Sequence, residues 1–281
     1  MTRPLVSVKW LHDNFRRDDV KIVDASWYLP NQDRDGHAEY LEAHIPGAVY
    51  FPIDEIADRS SHLPHMLPGA EEFSEAAGAL GINDDDMIIV YDAAGLFSAA
   101  RVWWTFRYFG APNAFVLDGG LPAWRKAGYP LESGEVAKRQ GRFNARAAPA
   151  AVSDHVAVKA ALSSGDRLIV DARSRERFAG SAPEPRPELP SGRMPGACNL
   201  PFGDLIDADG RLVSDEQIRE LFEAAGVDLS KPLTTTCGSG VTAAILTLAL
   251  TVIGHDDLSL YDGSWTEWAS REDCPRETDA Q

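Results

Sequence analysis

Pro232 to Gly254 reads PLTTTCGSGVTAAILTLALTVIG, and the change of pattern inside it decides the fold. Leu233 followed by Thr234, Thr235 and Thr236 is a β-branched run that favours a short strand. From Val241 to Ile253 the chain is almost wholly apolar and long enough for a buried helix. The turn between them is Cys237-Gly238-Ser239-Gly240. Glycines at 238 and 240 can adopt positive φ and put no Cβ in the way, so successive backbone N–H groups can point inward. A helix beginning near Val241 adds its own unpaired N–H groups and the positive end of its dipole. The expected result is an anion cradle around the side chain of Cys237. Donors of this kind favour the thiolate, the nucleophilic form of cysteine. A lone cysteine more often packs as a small apolar residue, but that role needs neither the two glycines nor the strand-to-helix turn.

The residue six places after the cysteine separates two kinds of enzyme that use such a loop. Cysteine-dependent phosphatases follow the pattern Cys-x5-Arg, in which the guanidinium clamps phosphoryl oxygens. Here that place is taken by Ala243, and the loop closes one residue shorter, with Cys237 to Thr242 as a six-residue unit. A loop of that size suits a single sulfur atom better than a tetrahedral phosphate. The sequence Cys-Gly-Ser-Gly-Val-Thr resembles the active-site loop of the rhodanese superfamily, and within it that of the 3-mercaptopyruvate sulfurtransferases. Thiosulfate-specific rhodaneses typically carry Cys-Arg-Lys-Gly at this point, and this chain has neither cation.

Outward from the loop, the two halves of the chain repeat each other. Ile22-Val23-Asp24-Ala25 is matched by Ile169-Val170-Asp171-Ala172, and His44-Ile45-Pro46-Gly47-Ala48 by Arg193-Met194-Pro195-Gly196-Ala197. Met87 to Tyr91 leads to Asp92 as Leu233 to Thr236 leads to Cys237, and Leu117-Asp118-Gly119-Gly120 with Trp124 matches Tyr261-Asp262-Gly263-Ser264 with Trp268. Short apolar runs at Ile22–Asp24, Met87–Tyr91 and Ala114–Leu117 alternate with helical patterns at Glu71–Leu80 and Ala99–Phe109, which predicts an α/β fold with a parallel sheet in each half. A bridge rich in Ala, Gly and charge covers Ser133 to Ala151. The domains are drawn as 1–135 and 153–281, with 136–152 as linker. The resemblance covers essentially the full chain. It implies two tandem rhodanese-like domains, each a mainly parallel five-stranded sheet flanked by helices, with the active site facing the domain interface. Asp92 stands at the nucleophile's place in the first half, and a carboxylate carries no transferable sulfur, so that domain is expected to be catalytically silent.

The chain of 281 residues is long enough for two such cores. A net charge of -16 disfavours nucleic acid and anionic membranes as partners. No segment approaches the roughly 18 apolar residues of a membrane span, and MTRPLVSVKWLHDNF does not read as a signal peptide. Three cysteines give no disulfide framework, so a cytoplasmic setting is the expectation. Cys198 is expected to be buried and Cys274, near the polar tail, exposed. His12, His37, His44, His62, His155 and His255 show no metal-ligand spacing, no dinucleotide or P-loop pattern is present, and no cofactor is implied.

An anionic substrate of so acidic a protein needs local positive charge. Arg177 and Arg186 lie in the proline-rich loop RSRERFAGSAPEPRPELP, residues 173–190. Read alone, they are surface charges paired with Glu176, Glu184 and Glu188. The resemblance assigns them instead to the carboxylate and carbonyl of mercaptopyruvate, a task suited to a guanidinium fork. Arg173 is left as a structural residue in an ion pair. Gly238, Gly240, Val241 and Thr242 line the loop that would bind the transferred sulfur. Ser239 is either a loop residue with a local hydrogen bond or, by resemblance, a member of a proton relay with Asp54 and His65. The implied activity moves the sulfur of 3-mercaptopyruvate through a Cys237 persulfide to a thiol such as thioredoxin, or to cyanide. Thiosulfate:cyanide sulfurtransferase is the alternative enzyme. A rhodanese-like binding or regulatory module is the alternative without catalysis, and Asp92 fits the first half to it better than Cys237 fits the second.

Overall fold

The computed structural model describes residues 3–279. The first half is five strand–helix units in succession: β1 (Leu5–Val6) and α1 (Val8–Asn14), β2 (Val20–Asp24) and α2 (Gly36–Glu42), β3 (Val49–Tyr50) and α3 (Ala70–Ala79), β4 (Met87–Tyr91) and α4 (Ala99–Tyr108), β5 (Ala114–Leu117) and α5 (Gly120–Lys126). The second half repeats them: β6 (Val152–Ser153) and α6 (His155–Ser164), β7 (Leu168–Asp171) and α7 (Arg175–Ala179), β8 (Cys198–Asn199) and α8 (Asp215–Ala224), β9 (Leu233–Thr236) and α9 (Ala243–Val252), β10 (Leu258–Tyr261) and α10 (Ser264–Ser270). Each half forms one five-stranded sheet, in the order β1-β5-β4-β2-β3 and β6-β10-β9-β7-β8. Every pairing within the two sheets is parallel. The strand order reverses beside β4 and beside β9, where crevices open at the carboxyl ends of open parallel sheets.

The sequence explains the layers. β2 and β4 are VKIVD and MIIVY, apolar on both faces, as strands covered by helices on each side must be. α4 and α9 are buried over nearly their whole surface and pack on each other between the sheets, so the two halves share one apolar core. α9, AAILTLALTV, has no charged face and must be enclosed, whereas α4 is enclosed with Arg101 inside it. The outer face of each sheet closes over its own smaller cluster, around Trp124 in the first half and around Trp265 and Trp268 in the second. The segment joining the halves runs along the first one, with Phe143 against Phe73 and Phe106 and backbone bonds from Gly141 to Gly78 (2.8 Å) and from Arg146 to Phe109 (2.9 Å). Among the described residues no helix is long and apolar enough to cross a membrane.

Two cysteine expectations are corrected. Cys274 is buried, because the tail folds back: Trp268 Nε1 donates to Pro275 O at 2.8 Å, and Arg193 and Glu277 exchange backbone bonds of 2.9 and 3.0 Å. Cys198 is only half-buried, in the edge strand β8.

Candidate active site

Cys237 follows the last residue of β9 and is 2% exposed. Its backbone N–H donates to Ser264 Oγ at 3.3 Å, and its carbonyl accepts from Trp265 N at 2.9 Å, so the start of α10 holds the cysteine's backbone. The carbonyls of Gly238 and Gly240 are bonded to residues outside the loop. Gly238 O accepts from Thr266 N (3.0 Å) and Thr266 Oγ1 (2.7 Å), Ser239 O lies 3.4 Å from His65 Nδ1, and Gly240 O accepts from Arg101 Nη1 at 3.4 Å. The backbone N–H groups of Gly238 through Thr242 meet no protein acceptor among the described residues. With those carbonyls tied back and the donors left over, the loop is an anion cradle.

The two glycines serve different ends, a correction to the expectation of positive φ at both. Only Gly240 lies in the left-handed region, at φ 79°. Gly238 leaves room for a close approach, since a Cβ there would stand 3.0 Å from Arg177 Nη2 and the guanidinium would have to shift by a few tenths of an ångström. Arg177 therefore reaches the side of the loop that a larger residue after the cysteine would occupy.

Glu184 receives Arg177 through both Nε (3.1 Å) and Nη2, and Arg173 Nη1 at 2.8 Å on its other oxygen. Glu184 is buried, so this is no solvated surface pair. Arg173 is fully enclosed between Asp171 and Glu184, the structural ion pair anticipated for it. Arg186 is half-buried, with no side-chain hydrogen bond or ion pair among the described residues. Burial pushes its guanidinium below the ordinary value, and nearby Arg177 acts in the same direction, against Glu188, Cys237 and Asp54. A half-buried, unpaired cation beside a cysteine is poised to receive an anion.

The first half contributes the opposite wall. His65 Nε2 is 2.9 Å from Asp54 Oδ1, and His65 Nδ1 is 3.1 Å from Ser239 Oγ. The predicted trio is thus assembled across 174 residues of sequence. Asp54 is 64% exposed but fixed by Trp27 Nε1, which donates to its Oδ2 at 2.8 Å. The bond from His65 holds the Asp54 carboxyl below its ordinary value, against some desolvation. With Asp54 ionised, Nε2 is the donor to it and Nδ1 is left to accept the Ser239 hydroxyl proton. His65 sits at φ 61°, a conformation that a non-glycine residue holds only when its surroundings impose it.

Arg101, which the sequence reading did not single out, supplies that constraint. It is 2% exposed and donates to His65 O at 2.5 Å. Its Nη2 also meets Asp262 Oδ1 at 2.7 Å, a charge contact rather than a directed hydrogen bond. Asp262 Oδ2 in turn accepts from Leu67 N at 2.8 Å. One ion pair across the domain interface therefore fixes the segment carrying His65 and the carbonyl of Gly240 together. The available signal was a charged residue inside the otherwise apolar AARVWWTF of α4.

At the corresponding place in the first half, Asp92 occupies its own loop. Its Oδ1 accepts from Ala94 N at 2.9 Å, and its Oδ2 from Phe97 N and Ala99 N at 2.7 and 2.8 Å.

The rhodanese-like domain model matches residues 7–127 and again 154–271. The chain is 44% identical over 277 residues to human 3-mercaptopyruvate sulfurtransferase, covering 96% of this chain and 93% of that one. It is 43% identical over 298 residues to the mitochondrial thiosulfate/3-mercaptopyruvate sulfurtransferase 1 of Arabidopsis thaliana, covering 99% and 79%. The crystal structure of a 3-mercaptopyruvate sulfotransferase from Escherichia coli superimposes with a TM-score of 0.87 at 40% identity, over 94% of this chain and 99% of that one. Fold and relatives together define a sulfurtransferase built of two tandem α/β domains. The chain belongs to the rhodanese family, and its activity is of the 3-mercaptopyruvate/thiosulfate type.

Proposed function

We propose that the protein takes sulfur from 3-mercaptopyruvate on Cys237 and passes it to a thiol or to cyanide. The observation that carries this reading is the pair Arg177 and Arg186 beside a cysteine loop with no cation of its own. A planar 2-oxo carboxylate can be forked by two guanidinium groups from one side, while the loop accommodates only the sulfur. Glu184 offsets part of the positive charge at Arg177, which favours a monoanionic donor over dianionic thiosulfate.

Cys237 thiolate attacks the substrate's sulfur and an S–S bond forms. The carbon–sulfur bond breaks with its electron pair going to carbon, giving the enolate of pyruvate beside Arg177 and Arg186. The enolate carbon takes up one proton, the equivalent of the one that left the substrate thiol, and Ser239 with His65 and Asp54 offers a route for it. The outer sulfur is left as an anion within reach of the N–H groups of Gly238 through Thr242. A thiolate acceptor, from thioredoxin or a small thiol, or cyanide then attacks that sulfur and releases Cys237, so the kinetics are ping-pong. The first half carries no sulfur itself, because Asp92 fills its loop, and contributes to the reaction only through His65 and Asp54.

Steady-state rates on the two donors, with cyanide as common acceptor, test the assignment. Pyruvate formation from mercaptopyruvate is expected to exceed thiocyanate formation from thiosulfate by at least about tenfold in kcat/KM, a 1.4 kcal/mol difference in transition-state binding. A preference for thiosulfate would keep the nucleophile and reject the reading of the arginines.

A further inference from the structure

The duplication leaves a vacancy in the first half that the second half fills. Backbone bonds fix the correspondence between the two. Ala25 N donates to Tyr91 O and Ala172 N to Thr236 O, each at 2.8 Å. Ser26 N donates to Asp24 Oδ1 and Arg173 N to Asp171 Oδ1, each at 2.9 Å. Leu121 N donates to Asp92 O at 3.0 Å and Trp265 N to Cys237 O at 2.9 Å. Asp24, Ser26 and Leu121 thus stand where Asp171, Arg173 and Trp265 stand. In the second half the guanidinium of Arg173 is bonded to Asp171 at 2.7 Å, to Glu184 at 2.8 Å and to Gly192 O at 2.7 Å, with Trp265 stacked 4.2 Å away.

Ser26 and Leu121 are too short to fill that volume, and the Ser26 hydroxyl is engaged by Ala93 N at 3.0 Å. A cleft of about 360 Å³ remains, lined by Asp24, Ser26 and Leu121 and rimmed by Glu42 and Arg125. Arg34 and Glu39 also reach it but neutralise each other through two bonds of 2.7 Å. The lining carries Asp24, Glu39 and Glu42 against Arg34 and Arg125, an excess of one negative charge. Asp24 itself is buried, and burial raises its carboxyl above the ordinary value, against hydrogen bonds from Ser26 and the Tyr91 hydroxyl. Desolvation outweighs those bonds, and no cation is among the groups that act on its charge.

We infer that this cleft is a binding site for a compact organic cation with N–H donors, of guanidinium or primary ammonium type, held by Asp24 as Asp171 holds the guanidinium of Arg173. The site lies in the first half and does not depend on which donor Cys237 accepts.

The test uses the full chain and methylguanidinium chloride, with N-methylurea as the uncharged analogue of similar shape, followed by titration calorimetry. Saturable millimolar binding of methylguanidinium is expected, with methylurea at least about tenfold weaker. The Ser26→Arg variant carries the cation in its own chain, so it should lose the binding by at least about tenfold and melt at a higher temperature. Asp24→Asn should also lose it, which keeps the test decisive if Ser26→Arg does not fold. Absence of saturable binding to the unmodified chain, equal binding of methylurea, or undiminished binding to a folded Ser26→Arg or Asp24→Asn variant would overturn the inference.

Discussion

The loops at Asp92 and at Cys237 leave the same place in their sheets and enter equivalent helices, yet one is filled and the other open. In the first half three backbone N–H groups converge on the Asp92 carboxylate at 2.7 to 2.9 Å. In the second, the N–H groups of Gly238 through Thr242 are left without a protein acceptor among the described residues. The first half therefore shows what the second is shaped to do, which is to hold a negative atom at the end of the central strand. A side chain that brings its own anion satisfies the loop permanently. A cysteine lets the anion arrive and leave as sulfur.

The largest expected effect comes from removing the difference between the loops. Cys237→Ser should reduce sulfur transfer on the order of 10³-fold or more with the circular dichroism spectrum unchanged, whereas Asp92→Ala should leave kcat within about twofold and lower stability by about 2–4 kcal/mol through its orphaned N–H groups. Sulfur transfer that survives Cys237→Ser would break the comparison.

Next is the ion pair that ties the halves together. Arg101→Met leaves Asp262 buried without its partner, and urea unfolding should show a loss of about 3–5 kcal/mol. Because His65 and Gly240 lose their common anchor, kcat should also fall. Replacing both Arg101 and Asp262 by apolar residues should recover stability but not kcat, separating packing from positioning.

A smaller effect is expected of the substrate side. Arg186→Ala should raise KM for mercaptopyruvate by roughly 10- to 100-fold, the equivalent of a charge-assisted hydrogen bond of about 1.5–3 kcal/mol. KM for cyanide should be nearly unaffected, and equal changes in both would remove Arg186 from the donor site. Ser239→Ala should lower kcat by about tenfold at most, since solvent can replace the hydroxyl as proton carrier. A KM change without a kcat change would make Ser239 a loop residue only.

The smallest effect concerns pH. Burial raises the Asp92 carboxyl above its ordinary 3.8, although the N–H groups oppose the shift. The folded state then holds this proton more tightly than the unfolded chain. The contribution is fully present below 3.8 and is lost as pH rises through the folded value. Relative to Asp92→Asn, the unmodified protein should therefore gain stability when urea unfolding is moved from neutral pH toward pH 4. A gain in the opposite direction would mean that the cradle outweighs desolvation.

Much of this was legible in the sequence because duplication prints each element twice. The inner strands β2, β4, β5 and β9, the helices α4 and α9, and the loop at Cys237 follow from local pattern and from the match between Asp92 and Cys237, whereas the two-residue strands β1, β3 and β6 are too short to show a pattern. The contact of His65 with Ser239 was visible only through resemblance, since nothing local marks a pair so far apart in the chain. Arg101 and Asp262 were missed because neither names its partner: the lone charge in an apolar helix signals burial but not what it pairs with, and Asp262 reads as an aspartate in a repeated turn. At Gly238 the missing Cβ was anticipated but its neighbour was not: freedom of φ is a property of the residue, whereas the approach of Arg177 is a property of the folded site. Cys274 illustrates the same limit, since a polar tail reads as exposed until its backbone bonds to Arg193 are known.

The most direct test of the central claim is to incubate the protein with 3-mercaptopyruvate without an acceptor and examine its peptides by mass spectrometry. The account predicts a gain of the mass of one sulfur atom on the peptide containing Cys237, with Cys198 and Cys274 unmodified, and discharge of that sulfur on adding cyanide. Pyruvate release with no sulfur on Cys237, or sulfur carried by either of the other cysteines, would contradict it.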